Sequence, residues 1–164
     1  MDELNLQERL LLANQFRILE RLDPEDAVQH SERREALERG YVLEYGGTFE
    51  TISPLEMSEA DCRLVMNVFD LFSSLQNSHA QLNDTAGIDS SKLQCRGFDG
   101  NNESELRGYA LYLRRTQRWE KLLGDGDLNS HEPTRELYGR MLERWNASVD
   151  KDQLTKDDIL RIIA

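Results

Sequence analysis

From Leu4 to Leu22 the apolar residues recur at helical spacing. Leu4, Leu11, Leu12, Phe16, Ile18, Leu19 and Leu22 share one broad arc, and Leu6, Leu10 and Ala13 lie on the opposite side. A helix that is apolar on two sides is one sandwiched between neighbours. Asp23-Pro24 then stops this helix and starts another, because the residue before a proline avoids the helical region while proline suits a first helical turn. Asp23 is placed to cap the second helix, which runs to about Arg39 and ends at Gly40. It is rich in Glu and Arg and has few apolar anchors, so it belongs on the surface.

The pattern fades over Tyr41 to Ile52. Gly46-Gly47 reads as a helix break, and Thr48 to Ile52 as a short extended piece. Ser58 to Asp61 resembles a capping box. Leu64, Val65, Val68, Phe69, Leu71, Phe72 and Leu75 follow on one wide apolar face, with Arg63, Asn67, Asp70 and Ser74 opposite, which marks the central core helix. Residues 83–100 read as loop, with Lys92 to Arg96 locally extended. A helix is predicted from Asn102 to Leu123, with Leu106, Tyr109, Tyr112, Leu113, Thr116, Trp119 and Leu123 on its core side and Leu111 and Leu122 on a second apolar margin. After a loop, Pro133 opens a helix carrying Leu137, Tyr138, Met141, Leu142 and Trp145. Thr155 and Asp158 form a capping box, and Leu154 and Ile159 a hydrophobic staple, at the start of a short C-terminal helix. The expectation is an all-α, irregular multihelical single domain over residues 1–164, with at most a short two-stranded element.

Length and charge narrow the function class. A chain of 164 residues fits one domain and can bury a core without a staple. The formal net charge of −11 opposes the phosphate backbone and makes nucleic acid an unfavoured partner. Cys62 and Cys95 form no CxxC pair and suggest two thiols in a reducing compartment. The start of the chain is acidic and its first apolar run, Leu10 to Ala13, is too short to span a bilayer; the expected location is the cytoplasm, away from membranes.

The order of local patterns then becomes informative. Arg9-Leu10 with Asn14-Gln15-Phe16, Leu22-Asp23-Pro24, Glu38-Arg39-Gly40-Tyr41, Cys62-Arg63, Gly97-Phe98-Asp99, Gly108-Tyr109, Asn129 with Pro133, Arg140-Met141-Leu142 and Trp145 together resemble the YfbU-like family of small bacterial proteins. The resemblance covers nearly the whole chain. It implies a multihelical all-α fold in bacterial cytoplasm and no established activity, so it brings no catalytic or binding residues. The segment around Gly46-Gly47-Thr48 departs from the more helical, more charged family pattern.

The common catalytic signatures are missing: GxxxxGK[ST], GxSxG, HExxH and GxGxxG do not occur. His30, His79 and His131 lie far apart in sequence. Asp125, Asp127, Asn129 and Glu136 match ligand positions of an EF-hand, but Ser130 replaces the turn glycine, Glu132 replaces an apolar residue and Pro133 intrudes, so the favoured reading is a solvated loop. No cofactor or metal is expected. Arg107, Arg114, Arg118 and Lys121 form a basic stripe opposite the core face of their helix. They are the candidate patch for an anion or acidic partner, against the plainer reading of a solvated face. Leu6, Leu10 and Ala13 are the candidate self-association face. The leading expectation is a non-catalytic, self-associating helical protein. The alternatives are a hydrolase-like enzyme with an unrecognised Asp/Glu/His site, or a regulator that meets an anionic partner through the arginines.

Overall fold

Asn5 starts the first helix: its side chain accepts the amides of Gln7 and Glu8, and Glu8 reaches back to the Asn5 amide, a complete capping box. The structure is a computed structural model and describes residues 4–53, 55–116 and 119–164, the side chains of Glu120 and Lys121 excepted. The helices are α1 (Leu6–Leu22), α2 (Ala27–Arg39), α3 (Gly46–Phe49), α4 (Glu59–Gln81), α5 (Ser104–Arg115), α6 (Glu120–Leu123), α7 (Arg135–Asn146) and α8 (Lys156–Ile163), with 3₁₀ turns at Val42–Glu44 and Ser90–Leu93. The fold is all-α and irregular. Strand content among the described residues is one isolated parallel bridge, Phe98 to Asn129. No described helix is long and apolar enough to cross a membrane.

The chain folds as two compact units, Met1–Glu56 and Met57–Ala164. In the first, α1 and α2 pack together over Ala13, Phe16 and Leu37, with Tyr45 closing the cluster. Gly40 ends α2 at φ +76, a left-handed position where a side chain would also press on the Arg9 guanidinium. Three expectations need correction here. Asp23 does not cap α2; its carboxylate holds the His30 imidazole at 3.1 Å, and Asp26 takes the N-cap position without a side-chain bond. Thr48 to Ile52 is not extended, because Gly46 and Gly47 are themselves inside the short α3. The broad arc of α1 is largely unburied: Phe16 is covered and Leu12 partly so, while Leu11, Ile18 and Leu22 stay exposed.

In the second unit α4 is the central element, as its pattern predicts. Val65, Val68, Phe69, Leu71, Phe72 and Leu75 are all buried, and α5, α6, α7 and α8 pack around them. Ser58 caps α4 through the Asp61 amide at 3.1 Å. The predicted continuous helix from Asn102 to Leu123 is two helices. Thr116 ends α5, its hydroxyl turned back onto the Leu113 carbonyl at 2.6 Å. The chain re-engages at Trp119, which donates its indole N–H to Asp70 at 3.0 Å and meets Phe69 edge-on. Leu111 and Leu122 pack against this core instead of forming an outer margin, and Tyr112 and Leu137 are exposed. At the end of the chain, Thr155 and Asp158 form the expected capping box, and Ile159 and Ile162 are fully buried.

Candidate functional site

The α1–α2 pair is fixed by charge as well as by apolar burial. Arg34 of α2 donates to Glu20 of α1 at 2.5 Å and to Glu38 at 3.0 Å, and Arg17 of α1 reaches Glu38 at 2.8 Å. The Arg34 hydrogen bond holds the Glu38 carboxyl below its usual pKa. Because Ala13 is small, the crease beside this network stays open as a groove of about 230 Å³. Ala13 and Leu37 lie along it, Leu6 and Leu10 stand at its edge, and Arg9 and Arg17 border it. Leu6 is 72% exposed and Leu10 61%, whereas Ala13 is 3% exposed. The structure therefore brings the three predicted face residues into one concavity but gives them different parts: two outer leucines and one buried alanine. Leu37, which belongs to the same groove, was not singled out by sequence, since α2 offers almost no apolar periodicity.

The arginine stripe lies in the second unit and engages the Asp125–Asn129 loop. Arg107 donates to the Asp127 carbonyl at 3.0 Å and stands 3.8 Å from its carboxylate, and Arg114 donates to the Gly126 carbonyl. Arg118 lies outside the described residues, as does the side chain of Lys121. Two of the four oxygen donors that match cation-ligand positions have local work: Asp127 accepts the Asn129 amide at 3.0 Å, and Asn129 accepts the amides of Gly100 and His131 at 3.0 and 3.1 Å. Among the described residues no three His, Cys, Asp or Glu side chains gather as a metal set.

Sequence reasoning overlooked the most connected carboxylate. Glu103 occupies the N-cap position of α5 but makes no cap there. Its side chain instead accepts the amides of Asp99 (3.0 Å), Thr134 (2.9 Å) and Arg135 (2.7 Å), so it caps α7 from across the loop. Burial raises its pKa, and the hydrogen bonds from Arg135, Asp99 and Thr134 outweigh that and hold it below the usual glutamate value. Around it, Phe98 donates to the Leu128 carbonyl at 3.1 Å and accepts from Ser130 at 3.3 Å. Gly97 has φ +80, and a Cβ there would lie 2.0 Å from the Leu128 oxygen. Gly97, Phe98, Asp99 and Asn129 thus form a tied pair of loops that sets the starts of α5 and α7.

Of the three histidines, His30 is buried, His79 is half-buried and His131 is exposed. His30 spends Nε2 on Asp23, and its Nδ1 is buried without a partner, so neither nitrogen faces a cleft. Cys62 and Cys95 are not joined in a disulfide, and burial pushes the Cys95 thiol up to about 11.

Comparison with protein families matches residues 2–164 to the YfbU domain, essentially the whole chain.

Proposed function

The chain belongs to the YfbU family, and from that premise we propose that it is a non-catalytic, self-associating helical protein of the bacterial cytoplasm that works by binding. One observation carries the reading: Leu6 and Leu10 stand exposed at the edge of a groove floored by Ala13 and Leu37. Exposed leucines beside a leucine-sized concavity form a self-complementary patch, the requirement for a two-fold interface. Of the groove's two arginines, Arg17 pairs with Glu38, and Arg9 points to the Leu37 carbonyl at 3.4 Å. His30 is no candidate for the enzyme alternative, since it is buried with Nε2 held by Asp23.

Sedimentation velocity of the full chain at micromolar concentration is the test. The parent is expected to associate, and Leu6→Glu with Leu10→Glu to reduce the assembly without loss of helical circular dichroism. A monomeric parent refutes the proposal.

A further inference from the structure

A second apolar stripe runs along α1, about a third of a turn away from Leu6 and Leu10 and on the side that faces away from α2. Leu11, Ile18 and Leu22 compose it. They are 66%, 56% and 74% exposed, although each is a large branched side chain on a well-capped helix. Their spacing of seven and four residues, with Gln15 between the first two, keeps to the 3.5-residue repeat by which one helix pairs with another.

We propose that this stripe is a second self-association seam, in which α1 pairs antiparallel with α1 of another copy about a two-fold axis passing between Asn14 and Gln15. The inference rests on the self-association reading above and adds a distinct surface to it. Four features identify a second copy as the occupant. The first is size. With the neighbouring Leu19, the stripe exposes roughly 400 Å² of apolar surface, close to the apolar part of a standard interface that buries about 800 Å² per partner.

The second is register. An axis at that point sets Leu11 against Ile18 of the other copy, and Ile18 against Leu11, so the pattern is its own complement. The third is charge. In a chain of net charge −11, residues 9–19 contain no carboxylate, and the two arginines in that stretch are turned toward α2. The axis also places Arg21 against Glu8 and Leu22 against the uncharged Gln7, so no like charges oppose each other. The fourth is the helix dipole, which favours the antiparallel arrangement.

Two different two-fold interfaces on one subunit close as a tetramer of dihedral symmetry where their axes meet at right angles, and otherwise build a larger assembly. The test compares four full-length proteins by sedimentation velocity and light scattering: the parent, Leu11→Glu with Ile18→Glu, Leu6→Glu with Leu10→Glu, and all four changes together. The parent is expected as an assembly of at least four copies, each double variant as a dimer and the quadruple variant as a monomer, all with unchanged helical signal. A parent dimer that only the Leu6/Leu10 variant splits overturns the seam and leaves the function reading intact. A dimer that only the Leu11/Ile18 variant splits supports the seam and overturns the groove. A monomeric parent overturns both. If the glutamates disturb folding, the same positions are changed to glutamine and judged by the same outcomes.

Cross-linking tests the orientation. With Cys62→Ser and Cys95→Ala as background, Gln15→Cys should oxidise to a linked pair. Leu11→Cys should not, because the two copies of that residue are about 10 Å apart along an antiparallel seam. Linking at Leu11 and not at Gln15 overturns the antiparallel arrangement.

Discussion

Glu103→Ala removes the carboxylate that joins α5, the 97–101 loop and the start of α7. Three amides depend on it: those of Asp99, Thr134 and Arg135. Asp99 and Thr134 are each 1% exposed, so water does not replace the lost acceptor at those two sites. A buried amide left unsatisfied costs about 1–3 kcal/mol. The Arg135 amide is near solvent and recovers most of its hydrogen bonding, leaving a small loss of capping energy. The Thr134 hydroxyl is insulated from the change, because the Gly97 carbonyl at 3.0 Å is available as its acceptor. The expected loss is therefore about 3–4 kcal/mol, set almost wholly by two amides. Glu103→Gln keeps one oxygen and loses the charge, and should cost about 1–2 kcal/mol.

Urea unfolding followed at 222 nm at neutral pH measures both variants, with an unchanged denaturant slope indicating that the native state is intact. A second measurement fixes the cause. The folded pKa of Glu103 is depressed below its unfolded value near 4.5, so its stabilisation is complete above that pH and is lost as pH falls through the folded value. The stability gap between the parent and Glu103→Gln should therefore narrow as pH drops below about 4.5. An alanine variant within 0.5 kcal/mol of the parent, about the level of an ordinary surface change, would show that the loops hold α7 without this residue. A gap that persists unchanged to the lowest pH at which the parent folds would show that the carboxylate charge is not the acceptor.

Two further outcomes follow from the same region. Gly97→Ala forces a side chain into φ +80 with its Cβ 2.0 Å from the Leu128 oxygen, and should destabilise the chain by at least about 3 kcal/mol in the same unfolding assay; a loss under about 1 kcal/mol would mean that the two loops are not tied. Cys95, its pKa pushed up to about 11, is a neutral thiol at pH 8, so in a Cys62→Ser background it should react with a disulfide reagent at least about tenfold faster when unfolded than when native, and equal rates would refute its burial.

The elements most legible in sequence are those whose apolar pattern and caps agree. α4 shows its buried face at helical spacing and begins at Ser58, and α8 shows both its box and its staple. Thr116 was harder to read. The wheel from Asn102 to Leu123 is continuous, and nothing in its periodicity reveals that a threonine back-bond ends α5 while Trp119 is anchored to Asp70, a residue 49 positions earlier. Glu103 was invisible for a related reason: it stands at the start of one helix and caps another, and only the folded loops bring the two together.

The α1 surface lies between these cases. Its two-sided apolar pattern was plain, but which side α2 covers was not. A useful signal was present in α2 itself. With Ala36 and Leu37 as its only buried apolar residues, that helix can cover a narrow strip of α1 and no more. Six leucines and an isoleucine on α1 cannot all be satisfied by such a partner. By contrast, the residues that carry the family pattern, Gly40, Gly97, Phe98, Asp99 and Asn129 among them, go into turns and tied loops. What makes this chain recognisable as a YfbU protein is thus mainly its architecture. For the self-association proposed above, the surface is the part of α1 that α2 leaves uncovered.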